Sequence, residues 1–96
     1  MKNNALRGKI LELLKKVYPE GIDEKTVVGA LFQYHKTDDI FASLEYLFDK
    51  GLIEKKEHPH VFAELEKVRW YKILPPGIDL LDGDAKEDPG VLIPRG

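Results

Sequence analysis

Hydrophobic residues recur with the period of an amphipathic helix in three successive segments of the chain. The first stripe consists of Leu6, Ile10, Leu13, Leu14 and Val17, and it predicts a helix over about residues 4–17. The second stripe follows Asp23, an N-capping residue type, and consists of Val27, Ala30, Leu31 and Tyr34. The third predicted helix begins at Thr37, and its predicted buried stripe is Ile40, Phe41, Leu44, Leu47 and Phe48. Gly51 is expected to end it in a left-handed conformation, with Leu52 packing back onto the helix.

The pattern changes to β-type after the third helix. Residues 52–57 and 68–74 are candidate strands, and the second is rich in β-branched and aromatic residues. They predict a hairpin whose strands are joined by a long loop over residues 58–67. Pro75-Pro76-Gly77 ends the second strand, and the following apolar residues predict a short helical turn. Residues 84–96 contain two prolines and predict an extended or disordered tail, separate from a domain over residues 1–83.

This order of elements predicts an α+β fold that is mainly α. Three helices, the last two joined by a tight turn, followed by a β-hairpin form the order of a winged helix-turn-helix domain. The hairpin is the two-stranded wing, and a short helical turn and an extended C-terminal tail complete the predicted architecture. One domain is expected, because 96 residues are too few for two separate cores.

Three stretches also resemble successive pieces of small winged-helix proteins: LRGKILELLKKVYPEGID, SLEYLFDKGLIEKK and RWYKILPPGIDLLDG. SLEYLFDKGLI is similar to the third helix and first hairpin strand of ArsR-like and MarR-like bacterial transcriptional regulators. GIDLLDGDAKEDPGV resembles the end of short winged-helix proteins of Mu-like phages and prophages. The resemblance implies a DNA-binding transcriptional regulator, or a DNA-associated protein of phage or prophage type, that uses the third helix and the wing, usually as a homodimer.

The amino-acid composition excludes several kinds of functional site. The chain has no cysteine, which excludes disulfides, thiolate zinc sites and cysteine nucleophiles. No apolar run approaches the length of a membrane span, and we expect a soluble cytoplasmic protein. No phosphate-cradling, dinucleotide or hydrolase motif is present, so we predict neither an enzyme nor a cofactor. The net charge of −2 lacks the basic signature of many nucleic-acid binders.

The DNA-binding interpretation requires polar contacts from the third helix and the wing. In this interpretation the third helix enters the major groove of duplex DNA, and wing cations contact phosphates. The candidate contacts on the helix are Ser43, Tyr46 and Lys50, and those on the wing are Lys55, Lys56 and Arg69.

The same helix carries the main objection to DNA binding. Half of its eight predicted solvent positions are acidic, namely Asp38, Asp39, Glu45 and Asp49. Uncompensated carboxylates would be repelled by phosphates. The alternative is therefore a protein-interaction module whose acidic helix face meets a basic partner, or whose apolar run Val91-Leu92-Ile93 docks on a neighbouring subunit as an added strand. A frayed terminus is the other interpretation of that run.

Two further features of the wing are open to a functional interpretation. Trp70 and Tyr71 are neighbours on a strand and must face opposite sides, so an outward Trp70 beside Phe62 could form an apolar patch for a partner. His58-x-His60, with Glu57 and Glu64 nearby, supplies metal-ligand types. A zinc site needs three or four converging ligands, and we predict no metal here.

Overall fold

The described residues form a small α+β domain of four helices and a three-stranded antiparallel sheet. The computed structural model describes residues 3–60, 63–84 and 86–94. The elements in chain order are α1 (Asn4–Lys15), β1 (Ile22–Asp23), α2 (Glu24–Leu31), α3 (Thr37–Asp49), β2 (Ile53–His60), β3 (Ala63–Ile73) and α4 (Pro75–Asp82).

The three predicted helices are present, and their ends follow local chemistry. Asp23 caps α2, since its carboxylate accepts a hydrogen bond from the Thr26 backbone N–H at 3.1 Å. Beyond α3, Gly51 adopts a positive φ of 74°, and the Leu52 N–H donates to the Leu47 carbonyl at 3.0 Å. This arrangement is a Schellman motif, so the predicted ending of the third helix is confirmed.

The sheet is larger than the predicted hairpin. Its strand order is β1-β3-β2, and β1 adds a third strand by pairing Ile22 with Tyr71. β2 and β3 run in register from the Ile53 and Ile73 pair outward, with an irregularity near Pro59. The predicted loop over residues 58–67 is therefore wrong, because 58–60 and 63–67 belong to the strands. Residues 61 and 62 lie outside the described part of the chain.

The predicted helical turn after the sheet is a complete eight-residue helix. Pro75 occupies its first position, where the missing N–H costs no helical hydrogen bond, and Gly83 ends it with a positive φ of 79°. Residues 86–94 form no regular element, but they pack against α1. The Leu92 N–H donates to the Asn4 carbonyl at 2.9 Å, and a Cβ atom on Gly8 would overlap the Leu92 carbonyl oxygen.

The core lies between the helices and the inner face of the sheet. Its buried members are Leu6, Ile10, Leu11, Leu14, Val27, Ile40, Leu44, Leu47, Leu52, Ile53, Tyr71, Ile73, Leu80 and Val91. Every helix, both long strands and the C-terminal segment contribute at least one of these side chains. Among the described residues, no helix has the length and apolar character required to cross a bilayer.

Candidate interaction surface

Helix α3 divides into a buried side and a solvent side, and the division differs from the predicted one. Phe41 and Phe48, predicted to be core residues, are each 38% exposed. Ser43, predicted as a DNA contact, is fully buried, and its Oγ has no hydrogen-bond partner within the described residues. The prediction for Ser43 is therefore wrong, because a residue with no exposed surface in the folded domain cannot contact a duplex.

Helical geometry explains this rotation of the buried stripe. Ile40, Leu44 and Leu47 point into the core, and Ser43 completes the i, i+3, i+4, i+7 set that they define. The phenylalanines lie one position later than Ile40 and Leu47, at the edge of this stripe. A strict reading of the helical period would have placed Ser43 inside and both rings at the boundary.

The solvent side of α3 contains a carboxylate and ring arrangement that occurs twice. Asp38 precedes Phe41 by three residues, and Glu45 precedes Phe48 by the same spacing. The two pairs are seven residues apart, which corresponds to about 10.5 Å along the helix axis. We call Asp38 with Phe41 the first carboxylate–ring pair, and Glu45 with Phe48 the second. Ala42 is exposed next to them, and Asp49 is exposed at the end of the helix.

A lysine of the hairpin occupies the second carboxylate–ring pair. Lys55 extends from β2 and forms an ion pair with Glu45, with 3.0 Å between Nζ and Oε1. The same Nζ atom lies 4.7 Å from the centroid of the Phe48 ring, within cation–π range. The Lys55 side chain is only 22% exposed. This predicted phosphate contact therefore already has a carboxylate partner on α3.

The other predicted wing contacts also have acidic partners. Arg69 lies opposite Glu57 in the β2–β3 ladder, with Nε 3.3 Å from Oε1, and its Nη1 is 3.7 Å from Glu24 Oε2. Glu24 raises the pKa of Arg69. Glu24 also accepts a hydrogen bond from the Tyr71 hydroxyl at 2.7 Å, and burial raises the pKa of that hydroxyl above its usual range. Lys56, the third wing candidate, pairs with Glu54 on its own strand at 3.3 Å.

Tyr46 and Lys50, the remaining predicted contacts on α3, hold the C-terminal segment. The Tyr46 hydroxyl donates to Asp88 at 3.2 Å, and Lys50 Nζ lies 3.7 Å from the second oxygen of the same carboxylate. The Arg7 guanidinium stacks over the Tyr46 ring at 3.7 Å and donates to the Gly90 carbonyl at 3.0 Å. Sequence reasoning missed the roles of Arg7 and Asp88 here, because no local pattern connects positions so far apart in the chain.

The residues predicted for the alternative, protein-interaction function differ in their exposure. The predicted apolar run does not act as one unit, because Val91 is buried, Ile93 is half-buried against the core and Leu92 is 55% exposed. On α3, Asp38 and Asp49 are exposed, Asp39 is half-buried, and Glu45 is the carboxylate paired with Lys55. The structure shows no ion pair for Asp38, Asp39 or Asp49 within the described residues.

The outer face of the hairpin carries Trp70. It is 41% exposed while Tyr71 is buried, which confirms that the two face opposite sides of the sheet. The His58 ring meets the Trp70 ring edge to face, with 6.1 Å between the centroids. Phe62, the predicted neighbour of Trp70, lies outside the described residues, as do the side chains of His60 and Glu64. The part of the chain that is described contains no group of three or more potential metal ligands.

Comparison with known proteins finds no relative of this chain. The chain matches no protein-family model, and no curated protein or solved structure shows significant similarity to it. The function therefore has to be inferred from the surface itself.

Proposed function

We propose that this domain has a winged helix-turn-helix fold and acts as a protein-interaction module through the solvent side of α3. The element order supports the fold, since α2 and α3 are joined by residues 32–36 and the β2–β3 hairpin follows as the wing. A winged-helix scaffold alone does not determine the ligand, because one fold can carry unrelated functions. The composition of its exposed surface distinguishes a protein ligand from duplex DNA.

One observation carries the proposal: the solvent side of α3 combines exposed rings with carboxylates, two of which, Asp38 and Asp49, have no ion-pair partner within the described residues. A helix that reads the major groove lies between two rows of phosphates, so its exposed side needs donors and cations. Lys55, whose ammonium group lies over the Phe48 ring, is already paired with Glu45. Asp38 and Asp49 have no ion-pair partner within the described residues.

The exposed rings favour a protein ligand. Phe41 and Phe48 expose apolar surface on one side of a regular helix, with Ala42 next to them. Aromatic side chains are enriched at the energetically dominant positions of protein interfaces, where their burial provides most of the binding free energy. Duplex DNA offers such rings little compensating surface beyond a thymine methyl group.

The test is a fluorescence-anisotropy titration of the whole chain with mixed-sequence duplex DNA at about 50 mM and about 200 mM salt. We expect no binding at either concentration, while a basic winged-helix regulator measured in parallel binds at the lower one. Micromolar binding that falls steeply with salt and is weakened by Phe41→Ala would overturn the proposal.

Duplex DNA is the second candidate, bound by a regulator or DNA-associated protein of phage or prophage type. The observation that favours it lies on the outer face of the hairpin, where Lys56 and Lys72 flank the exposed Trp70. Lys72 has no carboxylate partner within the described residues. Binding through this face would be weakened by alanine at both lysines, with a smaller salt slope, and would be unaffected by Phe41→Ala.

A further inference from the structure

The repeated carboxylate–ring pairs of α3 differ in one respect. The second pair, Glu45 with Phe48, holds the Lys55 ammonium group between a carboxylate oxygen and a ring face. The first pair, Asp38 with Phe41, has the same residue types at the same spacing two helical turns earlier. It has neither an ion-pair partner nor a cation over its ring within the described residues.

We propose that the first carboxylate–ring pair binds a lysine or arginine side chain of a protein partner, in the way that the second pair binds Lys55. This inference rests on the proposed protein-interaction function and specifies the chemistry of the partner. The partner is a cationic amphipathic helix that runs along α3. Its apolar side chains cover Ala42 and the two rings, and its basic side chains reach Asp38 and Asp49.

Charge complementarity selects this partner over an acidic or uncharged one. A protein that covers Phe41 and Phe48 also removes water from the neighbouring carboxylates, because they share one helix side. Burying an unpaired carboxylate is costly, whereas a partner cation both neutralises it and can lie over the adjacent ring. A neutral helix would leave Asp38 and Asp49 desolvated without compensation.

Asp49 provides a second and independent reason. Asp38 lies in the first turn of α3, where a carboxylate stabilises the helix by interacting with the positive end of its dipole. Asp49 is the last residue of the same helix, where the dipole disfavours a negative charge, and the Lys50 ammonium at the C-cap lies near Asp88. Helix stability therefore explains Asp38 but not Asp49. In the proposed complex, Asp49 instead pairs with a basic side chain of the partner.

The proposal can be tested by NMR titration of the ¹⁵N-labelled full chain with three synthetic peptides of about two heptads. All three have leucine at the a and d positions, and their remaining positions are mainly lysine, glutamine or glutamate. We expect the lysine peptide to shift the backbone amide resonances of residues 38–49. Asp38→Asn should weaken this binding by roughly three- to tenfold, the effect of losing one ion pair at a partly covered ring. Glu12→Gln, which neutralises an exposed carboxylate on α1, should leave the affinity unchanged.

Lys55 gives a second test of the partner's chemistry, because it fills the second carboxylate–ring pair. Lys55→Ala vacates the second carboxylate–ring pair, so the affinity for the lysine peptide should rise by roughly three- to tenfold. If Lys55→Ala leaves the affinity for the lysine peptide unchanged or lowers it, the analogy between the two carboxylate–ring pairs is overturned. Lys56→Ala serves as the matched control on the opposite face of β2 and should not change peptide binding.

The outcomes distinguish failure of the cationic-partner proposal from failure of the proposed protein-interaction function. If the glutamine peptide shifts α3 as strongly as the lysine peptide, α3 still binds protein but the cationic partner is overturned. The same conclusion follows if Asp38→Asn has no effect while its amide spectrum remains native. If none of the peptides shifts α3, the partner chemistry is likewise overturned. If duplex DNA shifts the α3 resonances, the proposed function itself fails.

Discussion

Two glycines in helix interiors give the sharpest test of how the C-terminal segment packs. Gly8 is buried in α1, and an added Cβ atom would overlap the Leu92 carbonyl oxygen. Gly29 is exposed in α2, and nothing lies within 4 Å of an added Cβ atom. Replacing either glycine with alanine gives the same helix-propensity gain of about 0.5–1 kcal/mol. The difference between the two variants therefore reports the contact with Leu92.

The structure sets the expected size of this difference. To accommodate a methyl group at position 8, residues 91–93 must move away from α1. The movement breaks the hydrogen bond between the Leu92 N–H and the Asn4 carbonyl, which contributes about 0.5–1.5 kcal/mol. It also exposes Val91, whose burial contributes about 1.5–3 kcal/mol. After the propensity gain is subtracted, Gly8→Ala should lower the free energy of unfolding by about 1–4 kcal/mol, whereas Gly29→Ala should raise it by about 0.5–1 kcal/mol.

The measurement is urea unfolding followed by far-ultraviolet circular dichroism, with the free energy of unfolding obtained by linear extrapolation. Deleting residues 84–96 should itself destabilise the domain, and Gly8→Ala should then become neutral or stabilising in the shortened chain. That reversal of sign separates a clash with the C-terminal segment from a clash within α1. If Gly8→Ala stabilises the full-length chain as much as Gly29→Ala does, the packing of residues 91–93 on α1 is refuted.

Three further predictions concern single polar groups. Tyr71→Phe removes the hydroxyl that donates to Glu24 and should lower stability by about 1–2 kcal/mol. Because the pKa of Tyr71 is raised in the folded state, the unfolded chain loses this proton first above about pH 10, so the wild type should lose stability there. When the pH is raised from below 10 to above 10, the urea midpoint should fall less for Tyr71→Phe than for the wild type. Equal falls in the two proteins would contradict this assignment. Asp49→Asn should raise the urea midpoint, because it removes a negative charge from the negative end of the α3 dipole. The expected gain in the free energy of unfolding is about 0.3–1 kcal/mol at low salt, and a decrease would contradict this explanation. Tyr46→Phe should cost about 0.5–1.5 kcal/mol and accelerate amide hydrogen exchange in residues 88–92, and unchanged exchange would show that the hydrogen bond to Asp88 does not anchor the segment.

The elements that could be predicted from the sequence are those that local chemistry determines. Helices α1, α2 and α3 follow from the spacing of their apolar residues, although α1 and α2 end before Val17 and Tyr34 of their predicted stripes. The α3 ending follows from Gly51 and Leu52. The two strands also carry a composition signal. In each case the information lies within one or two turns or a few strand positions, where side-chain periodicity and backbone preferences act directly.

The elements that were missed depend on contacts between distant residues. Strand β1 has only two residues, too few to show any periodicity, and it exists because Ile22 and Asp23 meet β3. The charged outer parts of β2 and β3 resemble a polar loop in sequence, yet ladder pairing continues through them. The C-terminal segment similarly depends on Arg7 and Tyr46, which are far from it along the chain.

The charges of the candidate surface show why a count of basic residues could not decide the function. Carboxylates of the same chain compete with phosphate for Lys55 and Arg69, because the fold brings Glu45 to one and Glu24 to the other. The charge that a surface presents to a ligand is what remains after such internal pairs form. On α3 the remaining charged groups include Asp38 and Asp49, next to two exposed rings. A DNA-binding role through this helix would require a duplex to approach carboxylates that have no ion-pair partner in the described part of the chain, whereas a basic protein partner would neutralise the same groups as it covered the rings.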